Sequence, residues 1–435
     1  MLSRRLAACA APRASNNRWV RRACLLTLLL ACLAVGGYAQ TAAQGDARTA
    51  AVRWPLTHLQ LGLADAPGAA AKLAAVAPFG LRYQYLAGGV NTGKSWQTWD
   101  PGGSFVSRYI SESEAQHIVP VFSYYQIRQS LPGAGTADET AADLGNLDNA
   151  TTMRAYYLDL TAFFVKAAPA GGPVVLHLEP DLFGYVEQHA AANDASSVPA
   201  AVASTGIPEL RGIPNTAAGF AQAILVLRQA HAPNVIVGYH ISIWGTRKDI
   251  HLSHPSSSEV DAMAAQAAAF YRSLHANFDV TFTELADRDA GYAQHVNGES
   301  GAWWNSVDYS HDLRFLSAYH RLVAKPIVMW QIPLGNTVSP IVNNTPFHYR
   351  DNKVQWFLAR GGRAHLQAYV RAGLVALLFG AGQAQDTDAG EASGDGRPDD
   401  GGYFDARARA YYKAGAIALV PVPKRAFQQR PARGV

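Results

Sequence analysis

Cysteine is scarce in this sequence of 435 residues, and all three cysteines, Cys9, Cys24 and Cys32, lie within the first 32 positions. The rest of the chain therefore cannot form disulfide bonds, thiolate metal sites or a cysteine nucleophile. Charged residues are also few, at 16%, whereas 49% of the residues are hydrophobic and 10% are aromatic. This composition excludes a disordered or collagen-like chain and is sufficient for a full core.

Long hydrophobic runs are missing too, with one exception near the N terminus. Residues 23–35 are apolar, follow several arginines and precede small residues that end at Ala39. This run is short for a membrane span, which needs about 20 residues. The pattern predicts a secretory signal peptide over 1–39, followed by a disordered segment over 40–53, and hence a secreted or periplasmic protein. Lipid anchoring through Cys32 is an alternative.

Positive charge is concentrated in this leader. The first 39 residues contain six arginines and no acid, and the pair Arg21 and Arg22 leaves twin-arginine export open as another alternative. Without these six charges, the net charge falls from +4 to −2 for the remaining 396 residues. A nearly neutral body argues against nucleic acid as the partner.

From Trp54 onward, apolar runs of strand length alternate with amphipathic stretches. The predicted strands are Leu56–Leu63, Leu81–Leu86, Ile118–Gln126, Val174–Glu179, Val235–Trp244, Phe278–Leu285, Pro326–Pro333 and Gly373–Gly380. The clearest predicted helices are Thr151–Ala168, Thr216–Ala230, Glu259–Ala276, Val307–Val323 and Asp405–Leu419. Eight strand and helix pairs predict one (β/α)₈ barrel over 54–421, with long loops and a C-terminal tail over 422–435.

Several predicted strands alternate polar and apolar residues, although parallel strands that are buried on both faces should be almost continuously apolar. The polar members are His58, Gln60 and Gly62, then Arg82 and Gln84, then His177 and Glu179, then His240 and Ser242. If the apolar faces meet the helices, these residues fill the barrel interior. Such an interior favours an active site over the alternative, a purely structural hydrogen-bonded network.

Strand four ends with carboxylates at the position where barrel enzymes keep acids. Glu179 ends the strand, Pro180 stops it, and Asp181 follows. Two carboxylates so close together repel each other, which favours a protonated general acid. The structural alternative is an ion pair between Glu179 and Arg82.

Strand six supplies a second acidic group of residues, Glu284, Asp287 and Asp289. Glu284 shares a face with Val280 and Phe282, which we expect to point outward, so its own direction is a difficulty. Glycoside hydrolysis needs two carboxyl groups flanking the bond, and strand six is the best source of the second. A solvated acidic loop is the alternative.

Two short motifs resemble glycoside hydrolases. The stretch VLHLEPDLFG resembles the E-P-D signature of glycoside hydrolase family 6, which implies a general acid role for Asp181. Similarly, ELADRDAG resembles that family's P-D-R-D-C segment, which implies a catalytic role for Asp289. Glu179 with Pro180 is also similar to the N-E-P tripeptide of retaining barrel glycosidases, whose nucleophile position on strand seven is occupied here by Trp330 and Gln331.

Aromatic residues are frequent at the predicted strand ends, and a groove of rings beside carboxylates suits an oligosaccharide. The predicted substrate-binding residues are His58, Gln84, Trp96, Trp99, Tyr124, His177, His240, Trp244, Trp303, Trp330 and Gln331. Burial in the core is the alternative for each ring.

Three further patterns point to ligands other than sugars. Gly88–Ser95 matches the phosphate-binding loop, but WQTWDPGG follows it where that loop requires a helix. The acidic loop Asp386–Asp400 offers oxygen ligands for calcium, although a solvated lid is the main expectation. A divalent site of His177, Glu179 and His240 is a weaker alternative, and no metal or organic cofactor is expected.

These features predict an exported, monomeric barrel glycosidase that acts on a poly- or oligosaccharide. Glu179 or Asp181 is the expected general acid, and Glu284, Asp287 or Asp289 is the expected base or nucleophile. The rival interpretation is a non-catalytic carbohydrate-binding barrel or an exopolysaccharide assembly factor. Carboxylates of strand six that point away from those of strand four would favour this rival.

Overall fold

The computed structural model describes residues 54–286, 288–380 and 382–420. Its strands are β1 (Gln60–Ala64), β2 (Leu81–Leu86), β3 (Val119–Tyr124), β4 (Val174–Leu178), β5 (Val235–Ile241), β6 (Val280–Glu284), β7 (Ile327–Ile332) and β8 (Leu374–Phe379). All neighbours pair in parallel, and β8 pairs with β1 to close the barrel. The predicted (β/α)₈ fold is confirmed.

Helices follow the strands around the outside of the barrel. They are α1 (Ala70–Val76), α2 (Phe105–Glu114), α3 (Glu139–Leu147), α4 (Ala150–Ala167), α5 (Leu182–His189), α6 (Ala217–His231), α7 (Ser257–Ser273), α8 (Ser306–Val323), α9 (Lys353–Leu358), α10 (Gly362–Arg371) and α11 (Tyr403–Lys413). Among the described residues, no helix is both long and apolar enough to cross a membrane. The predicted signal peptide, the 40–53 segment and the C-terminal tail lie outside the described residues.

The long helices begin where side chains cap them. Asn149 accepts the backbone N–H groups of Thr151 and Thr152 at the start of α4, and Ser256 with Glu259 forms a capping box at α7. The predicted helix Asp405–Leu419 is too long at its C-terminal end. The observed helix α11 ends at Lys413, and Gly415, which has a left-handed backbone conformation, follows it.

The barrel interior is more apolar than the sequence pattern predicts. A buried cluster inside the barrel contains Leu81, Tyr83, Val121 and Phe282. In β2 the apolar residues therefore face the interior, where the polar residues were expected. Arg82, on the other face of β2, is directed at the helices.

Arg82 is satisfied in this outer layer. Its Nε lies 2.7 Å from the Asp65 carboxylate, and its guanidinium lies 3.8 Å from the centre of the Tyr109 ring of α2. Gln84 shares its face, so neither residue lines the interior. The expectation that Arg82 lies in the barrel interior is therefore wrong, and so is the alternative of an ion pair between Arg82 and Glu179.

Candidate active site

A cavity of about 710 Å³ opens at the carboxyl ends of the strands. The residues that line it end or follow strands β2 to β8, and they include Tyr85, Tyr125, Asp181, Trp244, Glu284, Gln331 and Gln383. The loops of a (β/α)₈ barrel converge on this face, which is where such barrels carry their catalytic groups. The cavity is therefore the candidate active site.

Two carboxylates and one imidazole meet at this cavity. Asp181, His240 and Glu284 each have one side-chain oxygen or nitrogen atom within 4.8 Å of those of the other two. Asp181 and Glu284 line the cavity, whereas His240 is fully buried. The three residues follow or end the neighbouring strands β4, β5 and β6, so barrel closure brings together groups that are far apart in sequence.

The backbone at the end of β4 determines which acid reaches the cavity. Glu179 and Asp181 both have left-handed backbone conformations, with φ of 36° and 75°. The Asp181 carbonyl accepts the Gly184 N–H at 2.9 Å as α5 begins. Such conformations cost about 1–3 kcal/mol for residues other than glycine, and they cluster at functional sites.

Glu284 reaches the cavity because β6 has the opposite orientation to the expected one. Phe282, on the same face, packs inside the barrel with its ring 4.1 Å from that of His177. The expectation that Val280 and Phe282 point outward is therefore wrong, and the difficulty with Glu284 disappears. Trp244 Nε1 donates a hydrogen bond of 3.1 Å to Glu284 Oε1.

A chain of buried hydrogen bonds supports His240 from below. Ser123 Oγ lies 3.1 Å from His177 Nδ1, and His177 Nε2 lies 2.9 Å from His240 Nδ1. Burial lowers the pKa of His240 to about 3, and it lowers the pKa of His177 well below its usual range. Both rings are therefore neutral near pH 7.

The outer nitrogen of His240 has no hydrogen-bond partner among the described residues, although it is completely buried. If the Ser123 hydroxyl donates to His177 Nδ1, His177 carries its proton on Nε2 and donates it to His240 Nδ1. His240 then carries its own proton on Nε2. The nearby Asp181 and Glu284 carboxylates favour this tautomer because they attract an N–H group. His240 thus has one donor to offer to a group in the site.

Aromatic rings form much of the cavity wall. They are Tyr85, Tyr125, Tyr185, Trp244, Trp304 and Trp330. The Trp244 and Tyr185 rings lie 4.8 Å apart, and Trp330 packs 5.8 Å from Tyr85. Gln331 donates a 2.8 Å hydrogen bond to the Tyr85 hydroxyl. Rings beside carboxylates form a surface on which sugar C–H faces can stack.

Glu179 does not line the cavity. Its carboxylate accepts the backbone N–H groups of Gln126 and Ile127, each at 3.2 Å, and only 1% of the residue is exposed. Burial, followed by the charge of Asp143, raises its pKa well above the usual range. The carboxyl group is thus buried beside backbone donors and does not face Glu284 across the cavity, and its catalytic role stays an untested prediction.

Asp289 is also outside the cavity, and Asp287 lies outside the described residues. Asp289 accepts the N–H groups of Gly335 and Thr387 at 2.9 and 2.8 Å, so it joins the loops that follow β6, β7 and β8. Burial and the neighbouring Asp386 raise its pKa well above the usual range. Asp289 thus bridges three loops outside the cavity, and its catalytic role stays an untested prediction.

Two predicted sugar-stacking rings belong to the buried layer between the barrel and the helices. Trp96 Nε1 donates a 2.8 Å hydrogen bond to Asp159 of α4, and the Tyr124 hydroxyl donates to the same oxygen. Both aromatic residues are 0% exposed. Trp96 and Tyr124 therefore pack in the core, which was the alternative to sugar binding for each ring.

The other predicted contacts divide in a similar way. His58 precedes β1 at the opposite end of the barrel, because that strand begins at Gln60 and not at Leu56. Trp99 packs against Phe105 at the surface, and Trp303 donates to Gln294. His177 lies beneath the cavity. Only Trp244, Trp330 and Gln331 of the predicted substrate-binding residues line it.

Five wall residues with acidic, basic or imidazole side chains are not among the predicted site residues, namely Glu139, Asp249, His251, Arg288 and Glu299. Glu139 begins α3, and the others lie in the loops that follow β5 and β6. Loops have no periodicity that distinguishes a residue facing the cavity from one facing solvent. Loop length at this end of the barrel is the single sequence signal that points to them.

Asp181, His240 and Glu284 are also the one group of metal-ligating side chains found among the described residues. One imidazole and two carboxylates can bind a divalent cation, but the common catalytic sites of zinc and non-haem iron contain two or more histidine or cysteine ligands. The acids of the Asp386–Asp400 loop instead accept N–H groups of their own loop; Asp399, for example, accepts those of Ala392 and Ser393. Calcium in this loop stays a prediction.

The segment Gly88–Ser95 folds as a loop beside the cavity. A three-residue turn, Trp96–Thr98, follows it instead of the long helix that a phosphate-binding loop requires. Gly88 donates its N–H to Gln129 Oε1 at 2.6 Å. The loop borders a second hollow of about 670 Å³, which shares Gln129 and Glu139 with the cavity.

No protein-family model matches the sequence, and no curated protein does either. The resemblance to glycoside hydrolase family 6 is therefore not supported, and the buried position of Asp289 agrees with this correction.

Solved barrel structures are similar to the chain at low sequence identity. A Bacillus sp. JAMB-750 endo-β-1,4-mannanase of glycoside hydrolase family 26 is 10% identical, covering 82% of this chain and 86% of that one, with a TM-score of 0.46. A Cellulomonas fimi mannanase of the same family is 12% identical, covering 84% and 76%, with a TM-score of 0.44. Xylanase B of Clostridium stercorarium F9 is 8% identical, covering 74% and 86%, with a TM-score of 0.42.

Proposed function

We propose that this protein is a glycoside hydrolase that cleaves a poly- or oligosaccharide in the cavity at the carboxyl ends of the strands. The observation that carries the proposal is the pair of facing carboxylates, Asp181 and Glu284, whose oxygens lie within 4.8 Å of each other. Glu284 faces Asp181 instead of pointing away from it, which is the arrangement that acid and base chemistry requires and a binding protein does not.

We propose a retaining mechanism, with which an upper limit of 4.8 Å between one oxygen of each carboxylate is compatible. Retaining glycosidases hold their two carboxyl groups about 5–5.5 Å apart, whereas inverting enzymes leave about 6.5–9.5 Å for a water molecule. In the first step, Asp181 protonates the glycosidic oxygen while Glu284 attacks the anomeric carbon, and the alcohol leaves. In the second step, Asp181 removes a proton from water, which attacks the glycosyl ester and releases Glu284.

The surroundings of the two acids support this assignment of roles. The Trp244 N–H donates to Glu284 and orients its carboxyl group, which suits a nucleophile. Asp181 follows the strained end of β4 and lines the same cavity as Glu284, which suits a proton donor positioned opposite the nucleophile.

The remaining wall would hold the sugar. Trp244, Tyr125 and Tyr185 are partly exposed and offer ring faces on which a sugar can stack, whereas Trp304 and Trp330 are buried. His240 offers its unpaired Nε2 to a hydroxyl group or to the Glu284 carboxylate. The predicted leader makes the enzyme an exported one, and we expect it to act as a monomer on a polymer outside the cytoplasm.

The test is incubation of the purified protein with a panel of α- and β-linked glycans, followed by measurement of reducing ends and of the anomer first released. We expect release of sugar with retained configuration. The variants Asp181→Asn and Glu284→Gln should each lose at least about 10²-fold in kcat/KM. Glu209→Gln, at an exposed position outside the cavity, is the matched control and should keep full activity.

Azide separates the two roles. A small anion can replace a missing nucleophile, so Glu284→Ala should form a glycosyl azide of inverted configuration, and Asp181→Ala should form one of retained configuration. Full activity of both amide variants would contradict the proposal, and an inverted first product would contradict the retaining assignment.

A second candidate function rests on the same three side chains. Asp181, His240 and Glu284 form a donor set for a divalent cation, which would supply a Lewis acid for hydrolysis. Activity that disappears with a chelator and returns with Zn²⁺ would favour this function. Activity that is unaffected by chelation would favour the carboxylate mechanism.

A further inference from the structure

Three polar side chains interrupt the apolar interior of the barrel at one level. Ser123 of β3, His177 of β4 and His240 of β5 are each 0% exposed. Val121 and Val175, two positions earlier on the same faces of β3 and β4, belong to the apolar cluster that fills the interior. Burying polar groups in such surroundings costs free energy unless each finds a partner. Aliphatic side chains would fill the space without this cost, so packing alone does not explain the three residues.

The hydrogen bonds of these side chains form a chain that stops at the cavity. Ser123 Oγ lies 3.1 Å from His177 Nδ1, and His177 Nε2 lies 2.9 Å from His240 Nδ1. The last atom of the chain, His240 Nε2, has no partner among the residues that the structure describes. One ring nitrogen of His240 lies within 4.8 Å of oxygens of Asp181 and Glu284. A purely structural network would satisfy its buried atoms at both ends, whereas this one leaves an atom for a ligand at the proposed point of cleavage.

Neighbouring rings hold His177 in its orientation. The Phe282 ring is stacked on it at 4.1 Å with an angle of 11° between the planes, and Trp330 meets it edge-on at 4.8 Å. Gly238 pairs with His177 in the sheet, and a Cβ atom there would lie 2.4 Å from the Phe282 ring. The glycine therefore leaves the space that Phe282 needs in order to stack on His177. Confined by these rings, the imidazole keeps its Nε2 directed at His240.

The proton order of the chain decides what His240 offers to a ligand. Lowered pKa values leave both imidazoles neutral near pH 7, with one proton each, so two orders are possible. In the first order, His177 donates to His240 Nδ1 and His240 Nε2 is an N–H donor, whereas in the second His240 donates from Nδ1 and its Nε2 is a bare acceptor. Ser123 permits both orders, because a hydroxyl can donate or accept. The Glu284 carboxylate attracts an N–H group and repels a bare nitrogen, so it selects the first order.

We infer that His177 is a positioning residue, whose N–H group fixes His240 Nε2 as a donor to an oxygen of the sugar bound between the two carboxylates. This inference rests on the proposed function and adds a hydrogen-bond donor at the point of cleavage. His240 contacts the sugar, and His177 acts only through His240. A protonated ring nitrogen has no lone pair for a metal ion, so the same order argues against the divalent-cation function.

The proton order can be measured by NMR without a substrate. The purified protein is labelled with ¹⁵N in its histidine rings, because protonated and bare ring nitrogens differ strongly in ¹⁵N chemical shift. The signals of the two residues are assigned as those lost in His177→Gln and in His240→Phe. At pH 7 we expect a protonated Nε2 in both rings. A bare Nε2 in His240 would overturn the inference and would favour the divalent-cation function.

Two substitutions of His177 test its action through His240. The amide nitrogen of glutamine can take the place of His177 Nε2 and donate to His240 Nδ1, whereas phenylalanine fills the space without a donor. On the glycan of the panel that the wild type hydrolyses fastest, His177→Phe should lower kcat/KM by about tenfold or more, and His177→Gln by less than about threefold. His365→Phe is the matched control and should keep the wild-type value, because His365 is stacked on Trp356 at 3.7 Å and does not line the cavity.

A merely structural role for His177 would give a different pattern. Melting temperatures identify variants whose fold is damaged, and His177→Leu, which also lacks a donor, replaces His177→Phe if that variant does not fold. Equal kcat/KM for the glutamine and the apolar variant at an unchanged melting temperature would overturn the inference. Full activity of the apolar variant would overturn it too.

Failure of the proposed function would give another result again. A protonated Nε2 in His240, together with no hydrolysis of any glycan in the panel by the wild type, would contradict the proposed function and support the proton order. Hydrolysis of a glycan together with a bare Nε2 in His240 would overturn the inference and leave the proposed function intact.

Discussion

Asp143 makes the stability of this barrel depend on pH in a direction that can be calculated. Its pKa is raised from 3.8 to about 8, mainly by burial. Between these values the unfolded chain loses the proton and the folded chain keeps it, so the folded state binds more protons. The contribution of Asp143 to the free energy of unfolding is therefore largest below about pH 4. It falls as the pH rises and becomes constant above about pH 8.

The perturbation is Asp143→Asn, which cannot ionise. Asparagine has the shape of the protonated acid, and Oδ2 makes no hydrogen bond that the amide would lose. The wild type should lose about 1.4 kcal/mol of unfolding free energy per pH unit through this group, or about 3 kcal/mol between pH 5 and pH 7. In the variant this component is absent.

The assay is urea unfolding of both proteins at pH 5 and pH 7, analysed as the difference between variant and wild type. Glu187→Gln is a parallel case, since burial also raises the pKa of Glu187 to about 8. Asp148→Asn, at an exposed helix end, is the control and should show no such difference. If Asp143→Asn and the wild type change by the same amount between the two pH values, Asp143 is not held protonated and the reasoning is refuted.

Three further predictions concern the site and its support. Trp244→Phe removes the N–H group that binds Glu284 and should lower kcat/KM by about tenfold or more. Trp99→Phe, outside the cavity, is its control. Equal kinetics of the two variants would contradict the role of Trp244. Trp96→Phe removes one of the two donors to the buried Asp159 Oδ1, so urea unfolding should show a loss of about 1–3 kcal/mol with KM unchanged. His240→Phe removes the unpaired Nε2 and should lower kcat while leaving the melting temperature within a few degrees; unchanged kcat would exclude a role for this nitrogen.

Strand positions follow from the sequence because apolar runs of strand length are needed for a barrel buried on both faces. Each predicted strand overlaps an observed one, and the bounds of β2 agree exactly, at Leu81 and Leu86. The face of each strand is harder to predict. In β2, tyrosines fill the interior and Arg82 is buried against α2, because an ion pair and an aromatic ring satisfy the guanidinium there.

The site was only partly predictable for a related reason. Asp181 and Glu284 stand at strand ends, where barrel topology indicates catalytic residues. The wall residues Glu139, Asp249 and Glu299 lie in or after long loops, whose paths depend on contacts and not on periodicity. Asp289 has the same sequence signal as a catalytic acid, yet its backbone donors come from Gly335 and Thr387, which no local pattern relates to it.

The turn after β4 directs Glu179 and Asp181, the two candidates for the general acid, to different places. Continued strand alternation would direct Glu179 into the barrel on the same face as His177. Its positive φ instead turns the carboxylate toward the backbone of Gln126 and Ile127, where it is buried. The second left-handed residue, Asp181, then begins α5 at the cavity edge. The conformational cost of about 1–3 kcal/mol per residue is offset by these hydrogen bonds, and it places one acid in the core and the other opposite Glu284.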